Sequence, residues 1–586
     1  MLSVIGYVLI VAAVGEGSKK RMYMKEVEPK PHSHHNSLSP DEMRDMLLSL
    51  YRSSSSDYMI GMAFTNCVTE NAISGREADC EDWRNKFIDV VRNLKLSGDK
   101  DPEEFVAGLV EDTVEWANGY SSNPNATDAQ RNPLYQFVLD HVPLRVSNSS
   151  LFIGPPGVGK SETTREVASL LAKEYGLELI DYHGVDDYRR ISLKPWHYFL
   201  YIDLRLTSVE PADLTGIPRS LFDGKISEYV PFGWAEALSL APGVLNLEEL
   251  TNVQRMDLMS AAYQLVLDRR AGFTRFNNGV MIIGLGNPPN EWSTAANALP
   301  LPLLNRFNVF EIRSPTLDEW YTYMNTHYGN KWFLTVYEFL ESYPNYLLGK
   351  PTVQSSMNQG SGLSPSDQIP TPRAWTKLAI QFYTTFRMDD EDSLKKFENA
   401  MSTPLTCSEL VSSIPRNDNE RVVKMACELA RSAVGVSAGD LFILFTKAVV
   451  APLKDIDKIF EPPTKDKDAA MRRIDNIYNE FISSFNSSGI SVGQNMVDIF
   501  MMKLVRELEA YSKEYPSSIM NCPICAAAII DYVTEHAPSN VARIYQRVLS
   551  VPYMRLGISF ISDKSAKNLG IEDIIDVERS ALNFAQ

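Results

Sequence analysis

The run Gly154-Pro155-Pro156-Gly157-Val158-Gly159-Lys160-Ser161 fits G-x-x-x-x-G-K-[ST] at every fixed position, and no other feature limits the fold so tightly. The pattern belongs at a strand-to-helix junction, where glycines let the backbone curl with its N–H groups turned inward at the positive end of a helix. The flanks agree. Leu151-Phe152-Ile153 supplies an apolar strand, and Ser161 to Tyr175 has the spacing of an amphipathic helix. A chance glycine-rich turn would not require both. Such a loop wraps a phosphate chain. Lys160 is expected to reach the β- and γ-phosphates, the Ser161 hydroxyl to ligate Mg²⁺, and Glu162 to complete the binding stretch that begins at Gly154.

Around the loop, from about 150 to 313, short apolar runs alternate with helical patterns. Leu151–Ile153, Tyr198–Ile202, Gly243–Leu247, Val280–Leu285 and Asn308–Ile312 are the predicted strands. Alternation of this kind implies α/β organisation, a parallel sheet with helices on both faces. Before it, residues 39–136 read as helical behind a Ser39-Pro40 start signal, and beyond Pro315 helical periodicity takes over. The 586 residues imply roughly three to five domains. The expected division is 1–40, an apolar segment and linker; 41–135, helical; 136–313, the α/β core; 314–460, a helical lid and extension; and 461–586, helical. Pro351 to Pro372 reads as an exposed loop.

A loop that holds a nucleotide with its metal needs a carboxylate on a nearby strand. Gly243-Val-Leu-Asn-Leu-Glu248-Glu249 ends an apolar run in two acids, which puts both at the carboxyl edge of the sheet. Glu248 is expected to face Mg²⁺ and Glu249 to polarise an attacking water. Alone, two such acids would equally suit a solvated helix start. A further run, Met281 to Asn287, ends in an amide before Pro288-Pro289. Asn287 is placed to orient the water or sense the γ-phosphate, although Asn-Pro is also a common turn.

Taken together these residues resemble the AAA+ ATPases, and within them the MoxR-like branch, with relatives encoded by bacteria and phages. The resemblance spans about 150–450. It rests on GPPGVGKSE, DLTGIP at Asp213–Pro218, NLEELTNVQRMDLMSAAYQLVLDRR at 246–270, GLGNPP at 284–289, LLNRF at 303–307 and TPRAW at 371–375. By that likeness Lys160 and Ser161 match Walker A, Glu248 and Glu249 match Walker B, and Asn287 matches sensor 1. Arg306 matches the finger that reaches a neighbouring subunit, and Arg373 matches sensor 2 on a helical lid. The family usually has Asp where Glu248 stands. Arg269 and Arg270 lie near the same region as alternative fingers, and element-end surface arginines remain the plain alternative for Arg306 and Arg373. Pro211 to Trp234 falls where the family inserts a small element; its Leu221, Phe222, Tyr229, Phe232 and Trp234 are either adhesive or packed on the core.

The resemblance implies ATP and Mg²⁺ as cofactors, ATP hydrolysis, and a ring homo-oligomer, expected to be a hexamer, that remodels a protein substrate. It also implies a separate von Willebrand factor A domain protein as partner. A net charge of −17 argues against nucleic acid as the main partner without excluding a local basic groove. A nucleic-acid loader or translocase, or a nucleotide-gated scaffold with low turnover, are the competing readings.

Six cysteines in so long a chain read as buried thiols rather than a disulfide framework, with Cys522-Pro-Ile-Cys525 the one close pair. Residues 2–14 are apolar and followed by Lys19-Lys20-Arg21. That is short of the ~20 residues a membrane helix needs, and the charge lies on the wrong side for a secretory signal. A buried element or a membrane-surface contact is expected there, in a cytoplasmic protein. His32, His34 and His35 sit in a polar linker that also offers metal ligands.

Overall fold

The structure, a computed structural model, describes residues 37–576 except 76–78, 95–100, 147–148, 222–225, 290–298, 350–367, 404, 451–452, 454, 487–493, 537–540 and 573–574. The apolar segment 2–14, the three linker histidines, Phe222 and most of the loop after Pro351 lie outside the described residues.

Among the described residues there are ten strands: β1 (Ser150–Ile153), β2 (Glu178–Asp181), β3 (Tyr198–Arg205), β4 (Ile217–Leu221), β5 (Ile226–Val230), β6 (Gly243–Glu248), β7 (Arg270–Ala271), β8 (Thr274–Arg275), β9 (Val280–Gly286) and β10 (Asn308–Glu311). Six form one parallel sheet in the order β10-β1-β9-β6-β3-β2. The five runs read as strands become β1, β3, β6, β9 and β10. Edge strand β2 went unread because four residues, half of them acidic, carry too little periodicity. The small antiparallel pairs β4–β5 and β7–β8 lie beside the sheet.

Alternation along the strands sorts two cores. Phe152, Phe199, Tyr201, Val244, Met281, Ile283 and Leu285 face one side, where they pack with helix α1 (Pro40–Ser74) and helix α2 (Lys160–Glu174). Leu151, Leu200, Ile202, Leu245, Leu247 and Ile282 face the other, against helix Gly233–Leu240 and helix α3 (Met256–Asp268). Burying apolar side chains on both faces is what a parallel sheet requires. The fold class expected from the sequence is therefore present: a parallel sheet sandwiched by helices, with mainly helical regions before and after it.

Helix α1 begins where the Ser-Pro signal lies. Ser39 Oγ accepts from the Glu42 N–H at 3.1 Å, and the Glu42 carboxylate accepts from the Ser39 N–H at 2.6 Å, which satisfies two otherwise orphaned donors. Just ahead, Leu38 pairs with the sheet's edge: its N–H donates to Glu311 and its carbonyl accepts from Arg313. From Leu317 onward the described residues are mainly helical. They share an apolar core that runs from Trp320 to Ile575 and includes Trp375 of helix α4 (Pro372–Thr385). Among the described residues no helix is long and apolar enough to cross a membrane.

The cysteines correct the expectation of free thiols. Cys67 joins Cys80, Cys407 joins Cys427 and Cys522 joins Cys525, with Cα atoms 5.9, 5.7 and 5.3 Å apart. The first two pairs come together through helix packing, which spacing along the chain does not reveal. Disulfides are rare in a reducing cytosol, so this pairing pulls against the cytoplasmic expectation. Alkylation of denatured, unreduced protein is expected to label none of the six cysteines. Labelling of all six would contradict the pairing.

Candidate functional site

The phosphate-type loop leaves β1, the strand next to edge strand β10, and enters α2 at Lys160. Two of its glycines are there for shape. Gly157 has φ 72° and Gly159 φ 101°, in the left-handed region that side chains resist. A Cβ on Gly157 would also lie 2.7 Å from Thr371 Oγ1, at the start of α4. The Thr371 hydroxyl caps that helix by accepting from the Ala374 N–H, and the Arg373 N–H donates to the Gly157 carbonyl at 3.1 Å. The loop and the first turn of α4 are thus in direct contact.

Lys160 fills the loop. Its Nζ donates to the carbonyls of Gly154 (2.7 Å) and Pro155 (2.8 Å) and to Asn287 Oδ1 (3.2 Å). Burial lowers its pKa to about 8; Glu248 pulls it up, and the nearby Arg373 guanidinium pushes it further down. No carboxylate of the described residues forms an ion pair with it. An ammonium group held by neutral oxygens and repelled by a second cation is a poor resting arrangement and a good anion receptor. Asn287 stands at the tip of β9, its N–H bonded to Thr251 Oγ1 at 2.9 Å. Strand β9 lies between β1 and β6, so the amide comes between the loop and the acids.

Glu248 ends β6 on the sheet face that carries α2. The buried Asn246, two residues earlier, donates through Nδ2 to Glu248 Oε1 at 3.1 Å and to Asp203 Oδ1 of β3 at 3.3 Å. Asp203 reaches solvent, yet the protein around its carboxyl and the charge of Glu248 push its pKa up to about 6. Beneath them Tyr201 Oη lies 3.2 Å from Thr164 Oγ1 and 3.5 Å from the Ser161 carbonyl. Glu249 follows with φ 57° and turns aside: its carboxylate accepts from the Thr207 hydroxyl at 2.6 Å and lies 3.8 Å from Arg205 Nε.

The arginines separate. Arg373, in the first turn of α4, is exposed and close enough to Lys160 to influence it. Arg306 is exposed, has no ion pair with a described residue, and sits just before β10. Because β10 runs parallel to β1 with Asn308 opposite Ser150, Arg306 lies at the amino edge of the sheet. Its own loop leaves the carboxyl edge, roughly 15 Å away at ~3.3 Å per residue. Arg269, the alternative finger, is committed elsewhere. It sits at φ 52°, half-buried, with its guanidinium donating to the carbonyls of Asn277 and Val280. Burial lowers its pKa to about 10, opposed by Tyr51 and assisted by Arg275. Arg270 pairs with Asp268 at the surface.

In the Pro211–Trp234 element, Trp234 is buried and donates to the Asp213 carbonyl, and Phe232 is half-buried. Tyr229 is exposed on hairpin β4–β5, 6.1 Å from the exposed Phe273 ring. Sequence reading missed Asp203, Thr207 and Asn246. The only signal was a polar residue inside each of two apolar strands, Asp203 and Asn246, whose register places them side by side.

Loop, lysine, strand-end acids and interposed amide lie together at one edge of a parallel sheet covered by helices, which defines an α/β fold with a phosphate-type loop. No known family's sequence profile matches the chain, and no curated protein matches it significantly. Among solved structures, the AAA domain of FIGL-1 in complex with ADP is 14% identical over 52% of this chain and 78% of that chain, with a TM-score of 0.22. NtrX from Brucella abortus in complex with ADP is 13% identical over 74% of this chain and 77% of that chain, with a TM-score of 0.21. Similarity that slight carries no weight for function.

The two arginine environments lead to a stability prediction. Arg269→Ala should cost roughly 2–3 kcal/mol by leaving buried carbonyls unpaired. Arg306→Ala should cost under about 0.5 kcal/mol. Denaturant unfolding of both variants checks this ordering.

Proposed function

We propose that the chain is an ATP-binding and ATP-hydrolysing AAA+ motor of the MoxR-like type that works as a ring and remodels a protein complex. The observation that carries this reading is Lys160. It is half-buried in a glycine-shaped loop and, among the described residues, bonded only to neutral oxygens, on the sheet edge that also bears Glu248 and Asn287.

The residues present fit a nucleoside triphosphate with Mg²⁺. Lys160 and the loop N–H groups from Gly154 to Ser161 would hold the phosphates, and Ser161 and Glu248 would hold the cation. A bound Mg²⁺ would neutralise charge developing on the transferred phosphoryl group. Asn287 is placed to orient a water. Glu249 is one peptide from the cation seat and can accept that water's proton once it leaves Thr207. Arg373 would add positive charge from the lid, and the Arg373–Gly157 bond gives the loop a route to the lid. Arg306 is exposed on the far edge from its own loop; in this reading it would serve the site of a second copy, making the active site composite and the assembly a ring. Hexameric assembly, a protein client and a separate von Willebrand factor A domain partner belong to the MoxR-like reading.

A low-turnover scaffold is the second reading. It draws on the engagement of Glu249 by Thr207 and Arg205.

Glu249→Gln should keep ATP affinity and lower turnover at least about 100-fold. Mixing that variant with Arg306→Ala should restore part of the activity, because some interfaces then combine an intact Glu249 with an intact Arg306. Steady-state phosphate release, with assembly followed by light scattering, is the measurement. Wild-type rings without turnover would support the scaffold. Verified mixed rings without rescue would remove Arg306 from the site.

A further inference from the structure

The departure at Glu248 has a structural counterpart two residues earlier. Asn246 is fully buried in the middle of an otherwise apolar strand, between Val244, Leu245 and Leu247. Its Nδ2 faces three acceptors: Glu248 Oε1 at 3.1 Å, Asp203 Oδ1 at 3.3 Å and Tyr201 Oη at 3.4 Å. Its Oδ1 is buried and, among the described residues, has no hydrogen-bond partner. A residue that merely filled this space would be apolar, since burying a carbonyl oxygen unpaired is costly. The amide is therefore there for what its N–H groups hold.

What they hold is set by the sheet. Asp203 and Asn246 are cross-strand neighbours, and Asn246 and Glu248 share a face two residues apart. That face carries the start of α2, with Tyr201 reaching back to the Ser161 carbonyl. Both carboxylates thus converge on the edge where the phosphate-type loop and the Ser161 hydroxyl lie. Two carboxylates this close repel each other, and an N–H donor between them fixes their positions without neutralising either. A glutamate also has one more rotatable bond than an aspartate, so Glu248 has more freedom to lose.

We propose that Asn246 is a positioning residue whose amide ties Glu248 and Asp203 into one two-carboxylate seat for the divalent cation accompanying a bound nucleoside triphosphate. This rests on the nucleotide reading above. Glu248 is the nearer ligand and Asp203 the outer carboxylate. The Asn246 tether makes up for the added length of Glu248.

Mn²⁺ tests this by electron paramagnetic resonance, with full-length protein and a saturating non-hydrolysable ATP analogue. Asn246→Leu should bind Mn²⁺ about 10-fold or more weakly, the usual effect of losing a residue that orients a metal ligand. It should leave metal-free analogue affinity within about 2-fold, because the amide touches no loop residue. Asp203→Asn should weaken Mn²⁺ in the same direction. Adding Glu248→Asp to Asn246→Leu should recover most of the loss, since a shorter carboxylate needs no tether; a purely structural role would show no such rescue. Wild-type Mn²⁺ affinity in a folded Asn246→Leu protein would overturn the inference, as would a loss that Glu248→Asp leaves unchanged. If Asn246→Leu does not fold, wild-type Mn²⁺ affinity in Asp203→Asn overturns it instead. Failure of the nucleotide reading looks different: the wild type itself would then show no analogue-dependent Mn²⁺ binding.

Discussion

The Gly157 carbonyl accepts a hydrogen bond from the Arg373 N–H, and the rest of the site depends on how closely those two backbones approach. A Cβ on Gly157 would strike Thr371, the residue that caps α4. Loop shape and lid position are therefore one constraint. Lys160 tightens it from inside by bonding to the Gly154 and Pro155 carbonyls. An anion that drew the ammonium group away from those carbonyls would act on the same short stretch of chain that touches the lid.

The sheet decides which residues can meet. Parallel strands bring the ends of β1, β6 and β9 to one edge, so Lys160, Glu248 and Asn287 converge although they are far apart in sequence. The same directionality sends Arg306 to the opposite edge. Arg306 is exposed there, whereas the Arg269 guanidinium is engaged by the carbonyls of Asn277 and Val280.

Much of this was legible from residue pattern. The loop motif, the five apolar strand runs and the Ser-Pro helix start each carry a local physical signal, and each lies where that signal put it. What was not legible depends on register or packing. Asp203 and Asn246 are unremarkable until β3 and β6 are aligned, and Thr207 meets Glu249 only because the chain after β3 passes the end of β6. The cysteine pairs fail for the same reason: Cys67 and Cys80 meet across the turn from α1 to the next helix, and Cys407 and Cys427 across two packed helices. Hairpin β7–β8 has two residues per strand, too few for any periodicity.

The central claim is that the loop around Lys160 is a receptor for a magnesium-bound nucleoside triphosphate. Calorimetric titration of the full chain with Mg·ATP tests it most directly. The account predicts saturable binding that Lys160→Ala weakens by about 10- to 100-fold, the worth of lost charge-assisted hydrogen bonds. Absence of binding by the wild type, or equal affinity in Lys160→Ala, would contradict it.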